Sequence, residues 1–369
     1  AGVLYEKRGQ LDDARIAYRK AAELYADKNY RQQYALNDAM AQQAWLDTVR
    51  VMGRAGGYAT EHQRLIEQKL SAESRQRLES FGPNKGQVVV IQHLGMMPQR
   101  KELNLHLTAV PSEKALRLKP VLTGTEQEKA DQQRWFTLLY GDKGVMDMVA
   151  GFSEGGLSGV AQTVSQKTVP LGPAWDLAKQ VKVPQNIGET GIRVTVPYYA
   201  PLRTNANGAH VKLDGREVVG LEKSEAVSQL FVQNQLLNAG ADMNEAMARA
   251  VFKNVTAAET AGMMGGSLGK LAGKAAASAT AAAETRNWLT LPYDIRISRF
   301  AVEPGKHDLR LVTEGQSGQP IATARKQISV EAGQTRVWVE RTFDPTQERP
   351  YEEKGEKQEK EGSGLAGAF

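Results

Sequence analysis

Between Trp288 and Phe343 apolar and polar positions alternate with a period of two, in four runs that each end at a turn signal. Ile295 and Ile297 alternate with Arg296 and Arg299 and stop at Pro304-Gly305. Leu309 and Leu311 alternate with Asp308 and Arg310 ahead of Glu314-Gly315 and Ser317-Gly318. Ile328 and Val330 alternate with Gln327 and Ser329 before Ala332-Gly333. Val337 and Val339 then alternate with Arg336, Trp338 and Glu340. Such alternation turns one apolar row inward and one polar row outward. Strand-length runs divided by Gly and Pro turns predict an antiparallel β-sandwich.

The first 79 residues carry a helical period instead. GVLYEKRGQLDDARIAYRKAAELY has the spacing of a tetratricopeptide repeat. Leu4 and Tyr5 fall on a first helix, Gly9 at the turn, and Ala14, Ala17, Tyr18 and Ala21 on a second. Small residues at Ala14 and Ala21 permit close approach, with Tyr18 filling the gap. Repeats of this kind bury their faces against neighbours, so further repeats are expected before Ala1. The repeat serves either as a peptide-binding groove or as a cap. Another helix is expected from Ala35 to Val51, interrupted at Met52-Gly53, and a further one over Tyr58–Leu78.

After Gly82-Pro83-Asn84 the period changes again. Val88 to Ile91 is a β-branched run suited to a strand buried on both faces, and Leu103, Leu105 and Leu107 alternate as a second strand. Gln127 to Tyr140 reads as a helix. Ile192 to Leu202 alternates, but Pro197 and Pro201 confine it to a sheet edge. Asp214-Gly215 between Val211, Leu213 and Val218 is a hairpin signal, and this hairpin is expected to join the later block in one sandwich. Between the two parts a helical hairpin is expected. Its first arm, Ser224–Asn238, would bury Val227, Leu230, Phe231, Asn234 and Leu237. Asn238-Ala239-Gly240 would end that arm, and Asp242 with Glu245 would cap a second from Met243 to about Arg286.

The predicted fold class is therefore α+β: an N-terminal helical, tetratricopeptide-like region, then an antiparallel β-sandwich interrupted by a helical hairpin. The expected divisions are residues 1–80 (helical), 81–220 (mixed α/β with the first sandwich strands), 221–287 (Ala/Gly-rich hairpin), 288–343 (remaining strands) and 344–369 (polar tail). The 369 residues suffice for two or three domains. A net charge of +5 is mild, and Lys and Arg are interleaved with Asp and Glu, a solvated surface rather than a nucleic-acid face.

Without cysteine the chain has no disulfide, zinc-thiolate site or thiol nucleophile. No two of its five histidines stand at metalloprotease spacing. GFSEGGLSG and GGSLGK both fail the phosphate-loop pattern, and no GxSxG elbow occurs. No catalytic residue, metal ligand or cofactor is expected. His93 and His106 would bear on hydrolysis only if they met across paired strands beside a carboxylate. Candidate contacts lie elsewhere. Gly262, Gly266, Gly269 and Gly273 form a smooth helix face on which another helix can lie, within a subunit or between subunits. Tyr5 and Tyr18 mark the repeat, and Phe369 ends an apolar tip on a polar string.

Three stretches carry a family resemblance: GQVVVIQHLGMMPQRKE (86–102), IRVTVPYYAP (192–201) and ETRNWLTLPYDIRISRFAVEPGKHDLRL (284–311). With the repeat, the chain resembles an uncharacterised family of bacterial envelope lipoproteins with an N-terminal tetratricopeptide region. EPGKHDL and EAGQTRV are similar to the turns of PEGA-like β-sandwich modules. The resemblance implies a periplasmic, outer-membrane-associated location, with membrane attachment only through a lipidated cysteine upstream of Ala1. It transfers no catalytic residue. The expected role is a non-enzymatic structural or interaction protein of the envelope. It would be a homo-oligomer or a component of a multi-protein complex with other envelope proteins, in secretion, motility or cell-wall machinery. The alternative is a regulator of a peptidoglycan-synthesising enzyme or, further off, a periplasmic hydrolase.

Overall fold

A computed structural model describes residues 1–34, 36–141, 166–180, 182–188, 190–200, 204–279 and 290–344, with 283, 285, 286 and 288. In chain order it opens with helices α1 (Gly2–Lys7), α2 (Leu11–Ala26), α3 (Lys28–Gln33), α4 (Ala39–Ala55), α5 (Ala59–Lys69) and α6 (Ala72–Ser80). Strands β1 (Gly86–Leu94), β2 (Arg100–Val110) and β3 (Ala115–Val121) follow, then α7 (Glu126–Tyr140), β4 (Lys167–Pro170), α8 (Ala174–Gln180) and α9 (Val183–Ile187). Next come β5 (Ile192–Tyr199), β6 (Ala206–Leu213), β7 (Arg216–Gly220), β8 (Glu222–Glu225) and α10 (Val227–Ala279). The last four strands are β9 (Asp294–Val302), β10 (Gly305–Gly315), β11 (Pro320–Val330) and β12 (Thr335–Thr342). The fold is mixed α+β with three four-stranded sheets among the described residues, ordered β12-β1-β9-β8, β11-β10-β6-β7 and β4-β3-β2-β5.

Two compact units divide the chain. The first comprises Ala1–Met97, Leu202–Leu230 and Leu289–Phe369, and the second Pro98–Pro201 and Phe231–Trp288. In the first unit, Val88, Val90, Phe300, Val302 and Trp338 of one sheet share an apolar cluster with Val211, Leu309, Leu311 and Val330 of the other. Asp214 (φ 50) and Gly215 (φ 86) make the β6–β7 turn, both in the left-handed region that such a hairpin demands. Gly86 begins β1 where a Cβ would stand 2.9 Å from the Glu331 carbonyl and overlap Val330. Its bare backbone is what lets the turn between β11 and β12 close over the strand.

In the second unit Leu103, Leu105 and Leu107 of β2, Leu118 of β3 and Val194 and Val196 of β5 form one fully buried face. Trp135 and Phe136 of α7 belong to the same cluster, as do Ala239, Met243, Ala246, Met247 and Ala250 of α10. Spacings of four, three, one and three residues place that α10 stripe on one side of a helix. A capping box of Thr125 and Glu128 opens α7, satisfying backbone N–H groups that a helix start leaves free.

Several expectations are corrected. Among the described residues of 221–287 there is no helical hairpin, because β8 takes Glu222–Glu225 and α10 runs unbroken from Val227 to Ala279. The helix passes through Gly240, whose propensity cost of about 1 kcal/mol is small beside a buried stripe of five residues. Its buried side is the expected one only in part: Val227 is buried and Phe231 packs on the core, but Leu230 is exposed. Leu237 is 84 % exposed, while Ala239 and Met243 are buried. β5, by contrast, lies at a sheet edge as expected, that of the second unit's sheet, paired to β2 with Glu102 opposite Pro197. That edge position suits prolines, which have no N–H for a further strand. The first unit's sheets are not purely antiparallel, since β1 and β12 run parallel. α4 continues through Gly53 to Ala55 and stops at Gly56, φ 72, and a break at Ser71, whose side chain caps α6, divides the predicted 58–78 helix. On α2 Ala14 is fully buried as expected, but its fully buried companion is Ala22 rather than Ala21.

Candidate functional site

A cleft of about 600 Å³ lies within the first unit. Its walls are α4 and α6 on one side and Val218, Val219 and Gly220 of β7 on the other, and its floor is the edge of β9 from Ile297 to Ala301. That floor follows from strand register. β9 pairs with β1 along its whole length, Asp294 to Val302. On its other side β8 covers only Ile295, Arg296 and Ile297. At Leu221 the chain crosses to the other sheet, where the Leu221 N–H donates to the Ala209 carbonyl at 2.8 Å. Beyond Ile297 no strand among the described residues pairs with β9 on the cleft side.

The direction of the free backbone groups can be derived. The Tyr293 N–H donates to the Leu94 carbonyl, and the Gln87 and Gly95 N–H groups donate to β12's side. Even-numbered residues of β1 therefore bond β9, and through the register Val88↔Phe300 so do even-numbered residues of β9. Odd-numbered residues of β9 point their N–H and C=O away from β1. The Ile295 carbonyl accordingly accepts from the Ser224 hydroxyl at 3.1 Å, and the Arg299 carbonyl from Arg77 Nη2 at 3.3 Å. Arg299 and Ala301 thus offer main-chain donors and acceptors to the cleft.

Behind the floor lies a buried ion network. Arg50 Nη1 and Nη2 donate to Glu6 Oε1 and Oε2, each at 2.7 Å, and Arg54 Nη1 donates to Oε1 at 2.7 Å. Arg299 reaches from β9 to Glu6 Oε2 at 3.0 Å and Asp47 Oδ1 at 2.9 Å, and donates to Gln87 Oε1 and the Tyr18 hydroxyl. Tyr18 in turn donates to Glu6 Oε2 at 3.0 Å. The side chains of Glu6 and Arg299 are each 1 % exposed. Burial alone would raise the Glu6 pKa, but the Arg50 hydrogen bonds and the charges of Arg299, Arg50 and Arg54 outweigh it and hold the value at about 2. Burial pushes the Tyr18 hydroxyl up, so it stays a neutral donor. The network runs on into the cleft: Gln43 Nε2 donates to Asp47 Oδ2 at 3.3 Å, and Arg77 Nη2 donates to Gln43 Oε1 at 2.6 Å. The strand that carries the free edge is thereby fixed to α1, α2 and α4.

Two of the cleft's serines are engaged at the start of α6, where Ser71 is the cap. Ser71 Oγ accepts from the Ser74 N–H and donates to Ser74 Oγ, which donates to Gln42 Oε1 at 3.1 Å. The arrangement supplies hydrogen-bond donors, acceptors and shape, the means of holding a chain. Among the described residues no group of three His, Asp or Glu could hold a metal ion.

The candidate residues fare differently. Tyr5 is 37 % exposed, but Tyr18 is 7 % exposed and committed to Glu6 and Arg299, so it is not available to a partner. Gly262, Gly266, Gly269 and Gly273 lie on α10, and the surroundings of that stretch lie outside the described residues, as does Phe369. His93 and His106 do not meet across paired strands: β1 has β12 and β9 as neighbours, and β2 has β3 and β5. The cleft itself was missed by sequence reasoning. Its sequence signal is the shortness of EKSE between β7 and α10, too brief to cover a nine-residue strand.

Compared with known proteins, the chain matches no family model, no curated protein and no solved structure. Among the described residues no helix is long and apolar enough to cross a membrane.

Proposed function

We propose that the chain is a non-enzymatic interaction protein of the bacterial cell envelope, a subunit or adaptor of a larger periplasmic or outer-membrane assembly. The observation that carries the interaction role is the cleft on β9, where main-chain groups of Arg299 and Ala301 face a space of about 600 Å³, a size typical of binding pockets. The envelope location rests on the family resemblance, and membrane association would come through a lipid anchor upstream. The tetratricopeptide reading draws support from the tight seat of α1 on α2, where the Tyr18 ring lies against Gly2. The PEGA-like sandwich reading draws support from the apolar cluster shared by the first unit's two sheets.

Light scattering on the intact chain and on a Gly266→Leu/Gly273→Leu variant tests the assembly part. A discrete oligomer that collapses on substitution makes the protein a self-assembling subunit, and a monomer in both makes it an adaptor. Incubation with purified peptidoglycan tests the non-enzymatic part. No soluble fragments should appear. Release of fragments that His93→Ala or His106→Ala abolishes would sink the proposal in favour of a hydrolase.

A further inference from the structure

From the open edge of β9 we infer that the cleft binds an extended segment of a partner protein as an added β-strand, antiparallel or parallel to β9, alongside residues 298–302. The inference rests on the interaction reading above and names its mode and the partner's residue pattern. β8 stops at Glu222 opposite Ile297, so an added strand would continue the row that β8 begins. The Arg77 guanidinium now occupies the Arg299 carbonyl, the position a strand's N–H would take. Five residues at about 3.3 Å each span roughly 17 Å of edge, and the main-chain bonds of such an added strand provide affinity for any sequence that can extend.

The two walls set the pattern. Side chains of an added strand alternate between faces. One set faces the side on which Phe300 joins the inter-sheet apolar cluster and Val218 and Val219 line the wall. The other faces Gln42, Gln43, Ser74 and Arg77 of the helical wall. The partner segment therefore alternates apolar residues with hydroxyl, amide or carboxylate residues. It contains no proline at the positions whose N–H meets β9.

Random twelve-residue peptides displayed on phage are selected on the intact chain, and the best binder is synthesised with single N-methyl groups along its backbone. The expected result is enrichment of apolar/polar alternation. N-methylation at every second position should cost up to about tenfold in affinity per bond removed, with the intervening positions silent. On the protein side, Ala301→Pro removes a cleft-facing N–H without touching the β1 ladder, and it should weaken the same peptide while the melting curve stays cooperative. Binders that protect Val219 and Ser74 from labelling but ignore N-methylation would overturn strand addition and leave the interaction role standing. No binder above background would overturn both. Hydrogen exchange of the Arg299 and Ala301 amides at low and high protein concentration provides the remaining arm. Protection that rises with concentration would identify a second copy of the chain as occupant and overturn the partner assignment.

Discussion

The two units attach helices to sheets by opposite means. In the second unit the attachment is apolar: Trp135 and Phe136 of α7, and the α10 stripe from Ala239 to Ala250, share a cluster with the leucines of β2. In the first unit it is ionic. Glu6, Asp47 and Arg50 come from helices and Arg299 from β9, all nearly excluded from water. Apolar contact is non-directional and tolerates sliding. A bidentate Arg–Glu pair reinforced by three further donors permits one orientation. The ionic attachment is found where a strand edge and its cleft must be held in register, and the apolar one where a long helix needs only a face.

Substitution should separate the two modes most clearly. Arg299→Ala leaves Glu6 and Asp47 buried with too few partners and should destabilise the first unit by about 3–5 kcal/mol. Phe136→Ala should cost the second unit a similar amount, about 3–5 kcal/mol, through lost burial and a cavity. Chemical denaturation followed by hydrogen exchange resolves the units. Loss confined to the unit carrying each substitution is expected, and a uniform loss from either would break the comparison.

Acid should act more on the first unit than on the second, whose lowered carboxyls Glu128 and Asp176 are exposed, and somewhat more weakly than these substitutions. The folded Glu6 value of about 2 lies below the ordinary 4.5. Its contribution is therefore complete above pH 4.5 and is lost as pH falls toward 2, roughly 3 kcal/mol in all. Thermal melts between pH 5 and pH 2 should show the first unit's transition moving down. Glu6→Gln should flatten that dependence.

The smallest expected effect lies at the His307 clasp. Nδ1 meets Asp214 Oδ2 and Nε2 meets the Glu303 carbonyl, both at 2.8 Å. Both partners are acceptors, so the ring bonds both only as imidazolium. Burial opposes that charge, but the Asp214 hydrogen bond and the Glu303 carbonyl raise the His307 pKa above 6.5. The clasp is complete below pH 6.5 and fades as pH rises through the folded value. His307→Ala should cost less than about 1 kcal/mol at pH 5.5, since Asp214 is largely exposed, and less still at pH 9, where the neutral ring keeps one of the two bonds. Equal effects at both pH values would remove the charge from this account.

Legibility in the sequence followed the same division. The leucine alternation of β2, the Val88–Val90 run, the edge position of β5 and the Asp214-Gly215 turn all come from local periodicity and backbone preference, and all are present. Gly240 misled because a local propensity cost was weighed without the sheet beneath it. Leu237 misled because leucine was assumed to mark the inward side, whereas alanine and methionine take it. By itself the sequence determined a cysteine-free α+β chain, most of its strands and the helical character of its first 80 residues. Those depend on neighbours a few positions apart. Only the tertiary structure decided which strands share a sheet, that Glu6 and Arg299 meet across 293 positions of chain (299 − 6), and that β8 ends too soon to cover β9. Pairings of that kind depend on chain crossings and on charges satisfied at a distance, which no local pattern encodes.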